Sequence, residues 1–458
     1  MGKKPGRITA YVVASAVLCG LAWPGFFSPF LLIFSFFPAL LAYSVMLPGR
    51  SFWFGCLHGA IMYGIGGYWA ILSIRDVFNL PVILSVTVFI ALLFLFYCIP
   101  AGIFAALFNM AWNRSRYRLL FLAGAVLAWS FFEYVRGVVF PGFNIMTLAS
   151  AFYQFPELLA PVALLGEHLY SGIVVLVNLS LLGLARGVQV AVKVKETGLE
   201  YFRPVLLPVL LIASLVVIHI IPGIMGKHGS IPAVSPGSIL IVQPGIPAEQ
   251  KWKKEHVNTN LQRCIGITIA GLQDSTKVAI WPETALQFYP QQKSKYVREL
   301  QSFCQKHSLD IIAGGPEFVR NKEGLRYYNS IFMLNNKTTR SLYRKERLVP
   351  FAEYCPVSIV RPLFERLVGQ NQYSPGTGNT GSHAAGLYLR FAICFESLFP
   401  GLMARKAEDA DLVVVLSDDI WLGTPHGALQ HLAGTVLRSI ENQACILFCV
   451  NSGISAVI

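Results

Sequence analysis

Up to about Ile221 the chain is a succession of long apolar runs separated by short basic or Pro- and Gly-containing stretches; from about Gly229 the runs shorten and alternate with Lys, Glu, Gln and Asp. The first pattern constrains the fold most. Each run approaches the roughly 20 apolar residues with which a helix crosses the hydrocarbon core of a bilayer. Two regions folded in different solvents are expected: a multi-span α-helical membrane domain over residues 1–228 and an extramembrane domain over 229–458. Composition agrees, with 13% charged residues against about a quarter in ordinary globular chains.

Seven candidate spans fall at about 8–23, 27–47, 52–73, 82–112, 118–135, 168–185 and 204–222. Pro24, Pro29 and Pro48 punctuate the early runs, and Pro100 with Gly102 suggests a break in the fourth. Further runs follow the first at once and no small-residue cleavage pattern is evident, so residues 8–23 read as an uncleaved span and not as a signal peptide. The stretch Val138 to Leu165 reads as an extracytoplasmic loop near the interface.

The formal charge of +13 is placed unevenly. With alternate loops assigned to opposite sides, one side collects Lys3, Lys4, Arg7, Arg50, Arg114, Arg116, Arg118, Arg186, Lys193, Lys195 and Arg203, and the other Arg75 and Arg136. Positive charge stays inside. The N-terminus is therefore expected in the cytoplasm and the region beyond residue 222 outside it, so the basic balance argues for membrane orientation and against nucleic acid as a partner.

Beyond Gly229, β-type runs at Ile239–Gln243, Lys277–Trp281, Ile311–Gly314, Asn329–Leu334, Leu387–Cys394, Leu412–Ser417 and Cys445–Asn451 alternate with helical periods at His256–Leu272, Lys293–His307 and His426–Ile440. This is the pattern of a layered α/β domain. Val357 to Ser382 has no clear period and reads as a lid or binding loop. Of nine cysteines, Cys19, Cys56 and Cys98 lie in apolar runs and read as packing. Cys264, Cys304, Cys355, Cys394, Cys445 and Cys449 form no CxxC pair and no metal-type spacing, so neither a metal nor a cofactor is expected.

Three segments place an ionisable side chain at or just after an apolar run: Ile280-Trp281-Pro282-Glu283, Tyr343-Arg344-Lys345 continuing to Tyr354, and Ile393-Cys394-Phe395-Glu396-Ser397. Together they offer a carboxylate, an ammonium and a thiol. A thiol becomes a strong nucleophile only when deprotonated, and Glu283 in a poorly solvated pocket is a base suited to that step. Negative charge then grows on the attacked carbonyl oxygen, where Lys345 would hold it. Each residue alone has a plainer reading: Cys394 as core, Glu283 as a helix cap, Lys345 as one member of a solvated charge run.

In this order WPE, KxRLVPFxEY and CFES resemble the Glu-Lys-Cys triad of the nitrilase (carbon-nitrogen hydrolase) superfamily, and the preceding spans narrow the resemblance to the apolipoprotein N-acyltransferase family over nearly the whole chain. The resemblance implies an αββα sandwich for the second domain, on the periplasmic side of the bacterial inner membrane. It implies a ping-pong reaction in which Cys394 takes an acyl chain from a phospholipid such as phosphatidylethanolamine. The thioester then acylates the α-amine of the diacylglyceryl-cysteine of an apolipoprotein. It further implies Glu283 as base, Lys345 as oxyanion partner, Glu353 and Glu396 as additional carboxylates, and Trp252 as a functional tryptophan. Plainer roles stay open: Trp252 as an interfacial anchor, Glu353 as the partner of a nearby Arg, Glu396 as a loop-orienting group. Asn451, Ser452 and Gly453 match a family-like segment of unassigned role.

The sequence departs from the family at Phe395, where a Tyr is expected, and at Asp418, where an Asn is expected. It ends at Ile458, before the last strands and an eighth span that the resemblance implies. Two other functions fit parts of the pattern. A membrane-tethered amidase would use water as acceptor with the same triad; apolar residues Phe351, Ile359, Val360, Leu363, Phe364, Leu367 and Val368 favour a lipid donor instead. A transporter or receptor would need ionisable groups inside the spans, where Glu133 and His58 are nearly the only candidates. One domain carries the whole triad, so a monomer is expected.

Overall fold

The computed structural model describes residues 5–78, 80–114, 118–139, 142, 144–194, 237–322, 324–356, 359, 361–362, 372–378 and 380–458. The chain divides into two compact units, one built from residues 1–74 and 81–227, the other from 75–80 and 228–458.

The first unit is helical: α1 (Pro5–Gly20), α2 (Phe37–Tyr43), α3 (Pro48–Gly67), α4 (Trp69–Phe78), α5 (Val82–Leu93), α6 (Ile99–Arg114), α7 (Arg118–Val138) and α8 (Val162–Val194). Among the described residues two helices, Val82–Asn113 and Val162–Arg186, are long and apolar enough to cross a membrane, and a third crossing arises if α3 and α4, bent by 64° at their junction, count as one. Residues 27–47, expected as one span, form a short 3-10 turn (Pro29–Ile33) followed by α2, because Pro29 and Pro38 each open a new helical segment. The break expected at Pro100 is instead a widened π turn at Phe94–Cys98. Pro100 has no N–H to return to Phe96, and the extra residue in the preceding turn absorbs that defect while the helix continues. The span expected at 204–222 lies outside the described residues.

Helices α3 and α6 meet through small residues: a Cβ on Gly55 would stand 2.6 Å from the Ala101 carbonyl oxygen and 2.6 Å from the Ala105 side chain. Where ionisable groups are buried in this unit they have local partners. Glu133 Oε1 accepts from Trp129 Nε1 and from the Leu148 amide, both at 3.1 Å. Arg136 Nη2 donates to the Met146 carbonyl at 3.0 Å, and His58 Nε2 lies 3.0 Å from Ser15 Oγ. These contacts tie the segment at 145–148 and the start of the chain to the helices.

The second unit holds two five-stranded sheets. One has the order β1 (Ile239–Ile241), β2 (Val278–Trp281), β3 (Asp310–Asn321), β4 (Gly324–Leu334), β5 (Thr339–Arg344). The other has the order β10 (Ala456–Val457), β9 (Ile446–Val450), β8 (Leu412–Ser417), β7 (Leu387–Ile393), β6 (Gly381–Ala384). Alternation along the strands sorts side chains between two cores. Val278 and Ile280 of β2 pack in the inter-sheet core with Phe391, Val414 and Leu447, while Ala279 and Trp281 face Leu261 of α9 (Val257–Gly271) and Leu300 of α10 (Lys295–His307). On the far side, α11 (Pro400–Ala407) and α12 (Pro425–Asn442) cover the second sheet, so the layers run helix, sheet, sheet, helix.

The seven expected strands are all present, and β3 and β4 extend into a longer hairpin than the apolar runs alone suggest. The strand-like segment at the end of the sequence is the short β10, whereas β5, β6 and α11 correspond to none of the expected elements. Parallel pairing of β1–β2–β3 and of β7–β8–β9 gathers their C-terminal ends.

Candidate active site

Three strand ends deliver the three residues singled out by sequence. Glu283 stands two residues past β2, Lys345 directly past β5 and Cys394 directly past β7. Strand β7 ends at Cys394 because its φ turns to +54°, a left-handed conformation rare for a side-chain-bearing residue. The chain then enters a 3-10 turn over Cys394–Leu398. This elbow carries the half-buried thiol out of the sheet.

Lys345 is buried, and its Nζ lies 3.5 Å from Glu283 Oε1 and 3.0 Å from Glu353 Oε2. Asn329, in β4, joins the same cluster: its Nδ2 donates to Glu283 Oε1 at 2.8 Å and to Glu353 Oε1 at 3.0 Å. Burial pushes the Lys345 pKa down, but the two carboxylates outweigh it and carry the net shift upward, so the ammonium stays charged. Burial raises the Glu283 pKa, assisted by Glu353 and Asp418 and opposed by Lys345 and the Asn329 amide. The Cys394 thiol is pushed well above its ordinary value by burial and by the Glu283 charge, with Lys345 pulling the other way. These shifts favour the neutral thiol at Cys394 and the charged ammonium at Lys345.

The remaining residues hold this arrangement. Glu396 accepts backbone N–H groups from Ile393 at 2.6 Å, Glu346 at 2.7 Å and Arg347 at 2.9 Å, and the Tyr343 hydroxyl at 2.9 Å. One side chain thus joins the Cys394 elbow to the segment that carries Lys345, which is the loop-orienting reading of Glu396. Among the described residues Glu353 pairs with Lys345 and not with an Arg, and its Oε2 also accepts the Val349 amide at 2.7 Å. Phe395 packs edge-on against Phe399 with centroids 4.9 Å apart. Trp252 is 47% exposed at φ +66°, on a segment held from within by its neighbour Lys251.

Lys251 accounts for the Asp418 departure. Its buried Nζ pairs with Asp418 Oδ2 and donates to Thr284 Oγ1 at 2.7 Å, so the added carboxylate has its own cation. Asn451 completes the group, with Nδ2 donating to Asp418 Oδ1 at 2.9 Å and Oδ1 accepting the Ile246 amide at 2.9 Å. Asn329, Lys251 and His431 were not among the residues read from sequence. Of the apolar loop residues, Val360, Leu363, Phe364, Leu367 and Val368 lie outside the described residues, as does much of the segment 357–382. Among the described residues no group of His, Cys, Asp and Glu has the makings of a metal site.

Residues 15–180 match the family described as the apolipoprotein N-acyltransferase N-terminal domain, and residues 241–458 match the family described as carbon-nitrogen hydrolase. Proteins named apolipoprotein N-acyltransferase align with nearly the whole chain. That of Geobacter metallireducens is 28% identical over 99% of this chain and 85% of its own length. Those of Rickettsia typhi and Nitrosomonas europaea are each 26% identical, over 96% and 98% of this chain and 86% of their own lengths. The helix-flanked double sheet is the nitrilase fold that the second match entails. A helical unit and a nitrilase unit in this order, each matched by its own family, place the chain in the apolipoprotein N-acyltransferase family of the carbon-nitrogen hydrolase superfamily.

Proposed function

We propose that this membrane protein transfers an acyl chain from a phospholipid to the N-terminal α-amine of a diacylglyceryl-cysteine lipoprotein, through a thioester on Cys394. The observation that carries the reading is the Lys345 ammonium buried between Glu283 and Glu353 and electrostatically coupled to a thiol on a strained strand end. In the first half-reaction Glu283 takes the thiol proton as sulfur attacks the ester carbonyl. Lys345 stabilises the oxyanion, and collapse breaks the ester bond and returns the proton to the departing lysophospholipid alkoxide. In the second, the lipoprotein amine attacks the thioester, Glu283 receives the amine's proton, and the expelled thiolate is reprotonated. Atoms balance without an external oxidant or reductant. The catalytic unit faces the periplasm in this reading, and the bilayer supplies the donor, phosphatidylethanolamine being the expected one; one unit bears the whole site, so a monomer suffices.

The test is transfer from phosphatidylethanolamine to a synthetic diacylglyceryl-cysteine peptide by detergent-purified protein, followed by mass spectrometry of the peptide. Expected is one acyl group on the α-amine, lost when the amine is blocked. Release of free fatty acid at the same rate with or without the peptide would mean that water is the acceptor.

A further inference from the structure

The mechanism above leaves unused a buried pair directly behind the nucleophile. Asp419 begins a 3-10 turn (Asp419–Leu422) after β8, His431 lies on α12, and both are almost wholly buried. His431 Nδ1 is 2.8 Å from Asp419 Oδ1, and His431 Nε2 is 3.2 Å from the Cys394 carbonyl oxygen and 2.9 Å from Ser397 Oγ. A carboxylate and a carbonyl are both acceptors. In the protonated ring Nδ1 donates to Asp419 and Nε2 to the Cys394 carbonyl, whereas in the neutral ring Nε2 would accept from Ser397 Oγ instead. Asp419 Oδ1 also accepts from Ser417 Oγ at 2.7 Å, which fixes the carboxylate facing the ring.

We propose that Asp419 and His431 are a positioning pair for Cys394: a buried imidazolium, held charged by Asp419, that grips the Cys394 carbonyl, fixes the left-handed elbow and sets positive charge behind the sulfur. Two properties of the elbow call for such a device. A non-glycine residue at φ +54° keeps that conformation only when its surroundings hold it. The sulfur must also give up its proton to Glu283 in the first half-reaction and leave as a thiolate in the second, in a buried site that disfavours its charge. Burial lowers the His431 pKa, yet the Asp419 charge and hydrogen bond, with the Cys394 carbonyl, carry it above the ordinary histidine value. The titratable groups facing the ring are Asp419 from the turn after β8, Glu283 from the segment after β2 and Cys394 from the turn after β7. Strand β9 presents the Phe448 ring edge-on, with centroids 5.1 Å apart, and α12 itself contributes Thr435, whose Oγ1 donates to Ser397 Oγ at 3.0 Å.

This inference rests on Cys394 being the nucleophile of the proposed reaction, so its test reads the thiol without a lipid. The rate of Cys394 alkylation by iodoacetamide is followed by peptide mass spectrometry across pH in the full-length protein, for wild type, His431→Gln and Asp419→Asn. His431→Gln keeps an amide donor for the Cys394 carbonyl but carries no charge. It is expected to alkylate about tenfold more slowly near neutral pH, its profile displaced upward by about one pH unit. In Asp419→Asn the imidazole loses its counter-ion and discharges at lower pH, so the ratio of variant to wild-type rate is expected to fall as pH rises. Profiles that superimpose on wild type, or a His431→Gln profile that is lowered on its high-pH plateau with an unmoved midpoint, overturn the proposal, because a merely structural contact changes the rate without moving the thiol's titration. If Asp419→Asn does not fold, the His431→Gln profile alone decides. Formation of the lipid adduct by wild type is measured alongside: no adduct, with normal alkylation, refutes the acyl-transfer reading and leaves the test of the pair intact.

Discussion

A buried ammonium shared by two carboxylates decides what Glu283 and Cys394 can do. Lys345 favours the ionised form of Glu283, whose pKa burial raises, and in the proposed reaction it would supply a fixed charge where the oxyanion forms. Glu283→Gln should lower the rate of thioester formation by about 10²–10⁴, and Lys345→Met by at least about 10², with folding retained as judged by circular dichroism. The base must be ionised and its pKa is raised, so activity should be lost as pH falls, at a pH above that at which an ordinary carboxylate protonates. Asn329 opposes that rise through its 2.8 Å hydrogen bond. Asn329→Leu should therefore move the acid limb of the pH–rate profile to higher pH, whereas an unmoved limb would deny Asn329 this role. Glu283, Lys345 and Cys394 could be found in the sequence because each sits in a local word with a chemical meaning. Asn329, Lys251 and His431 could not, because their partners at positions 283, 418 and 394 are brought to them by the fold.

Strand ends are the elements that position the chemistry, and they tolerate little change in volume. A Cβ on Gly314 of β3 would stand 2.7 Å from Glu283 Cα and 3.0 Å from the Pro282 carbonyl oxygen, both backbone. Gly314→Ala should displace the base, destabilising by about 1–3 kcal/mol and lowering activity more than melting temperature. The Lys251–Asp418 pair ties the Trp252 segment to the β8 exit with both side chains only 1% exposed. Lys251→Met strands a buried carboxylate and should cost about 3–5 kcal/mol. The double variant Lys251→Met, Asp418→Asn should recover much of that in thermal unfolding. A double variant no more stable than the single one would contradict the coupling. Most strands were legible because short continuous apolar runs mark strands buried on both faces, as in β2, β8 and β9. Strand β5 was not: Thr339–Arg344 offers two buried side chains among polar ones, and its place comes from pairing with β4. The short α11, Pro400–Ala407, is too brief for a period to declare itself. Residues 27–47 differ in the opposite sense: Pro29 near their start is visible in the sequence, whereas the second division, at Pro38, lies inside the apolar run.

On the scale of the whole molecule, the chain forms two compact units, with residues 75–80 of the apolar half grouped with the second. The Val82–Asn113 helix leaves Ile83, Ile90, Leu92 and Leu95 exposed, a surface that suits lipid and would aggregate in water. The protein should therefore be extracted by detergent and not by salt or alkali. If the second unit is periplasmic as proposed, an alkaline phosphatase fusion after residue 458 should be active and a green fluorescent protein fusion there dark. The reverse pattern would reject that orientation. The most direct test of acyl transfer is intact-protein mass spectrometry of the purified full-length chain incubated with phosphatidylethanolamine, comparing wild type with Cys394→Ala. A mass gain of one acyl chain on wild type, removed by hydroxylamine and absent from the variant, is the predicted result. An unmodified wild type in accessible lipid, or an adduct that persists in Cys394→Ala, would contradict a thioester at Cys394.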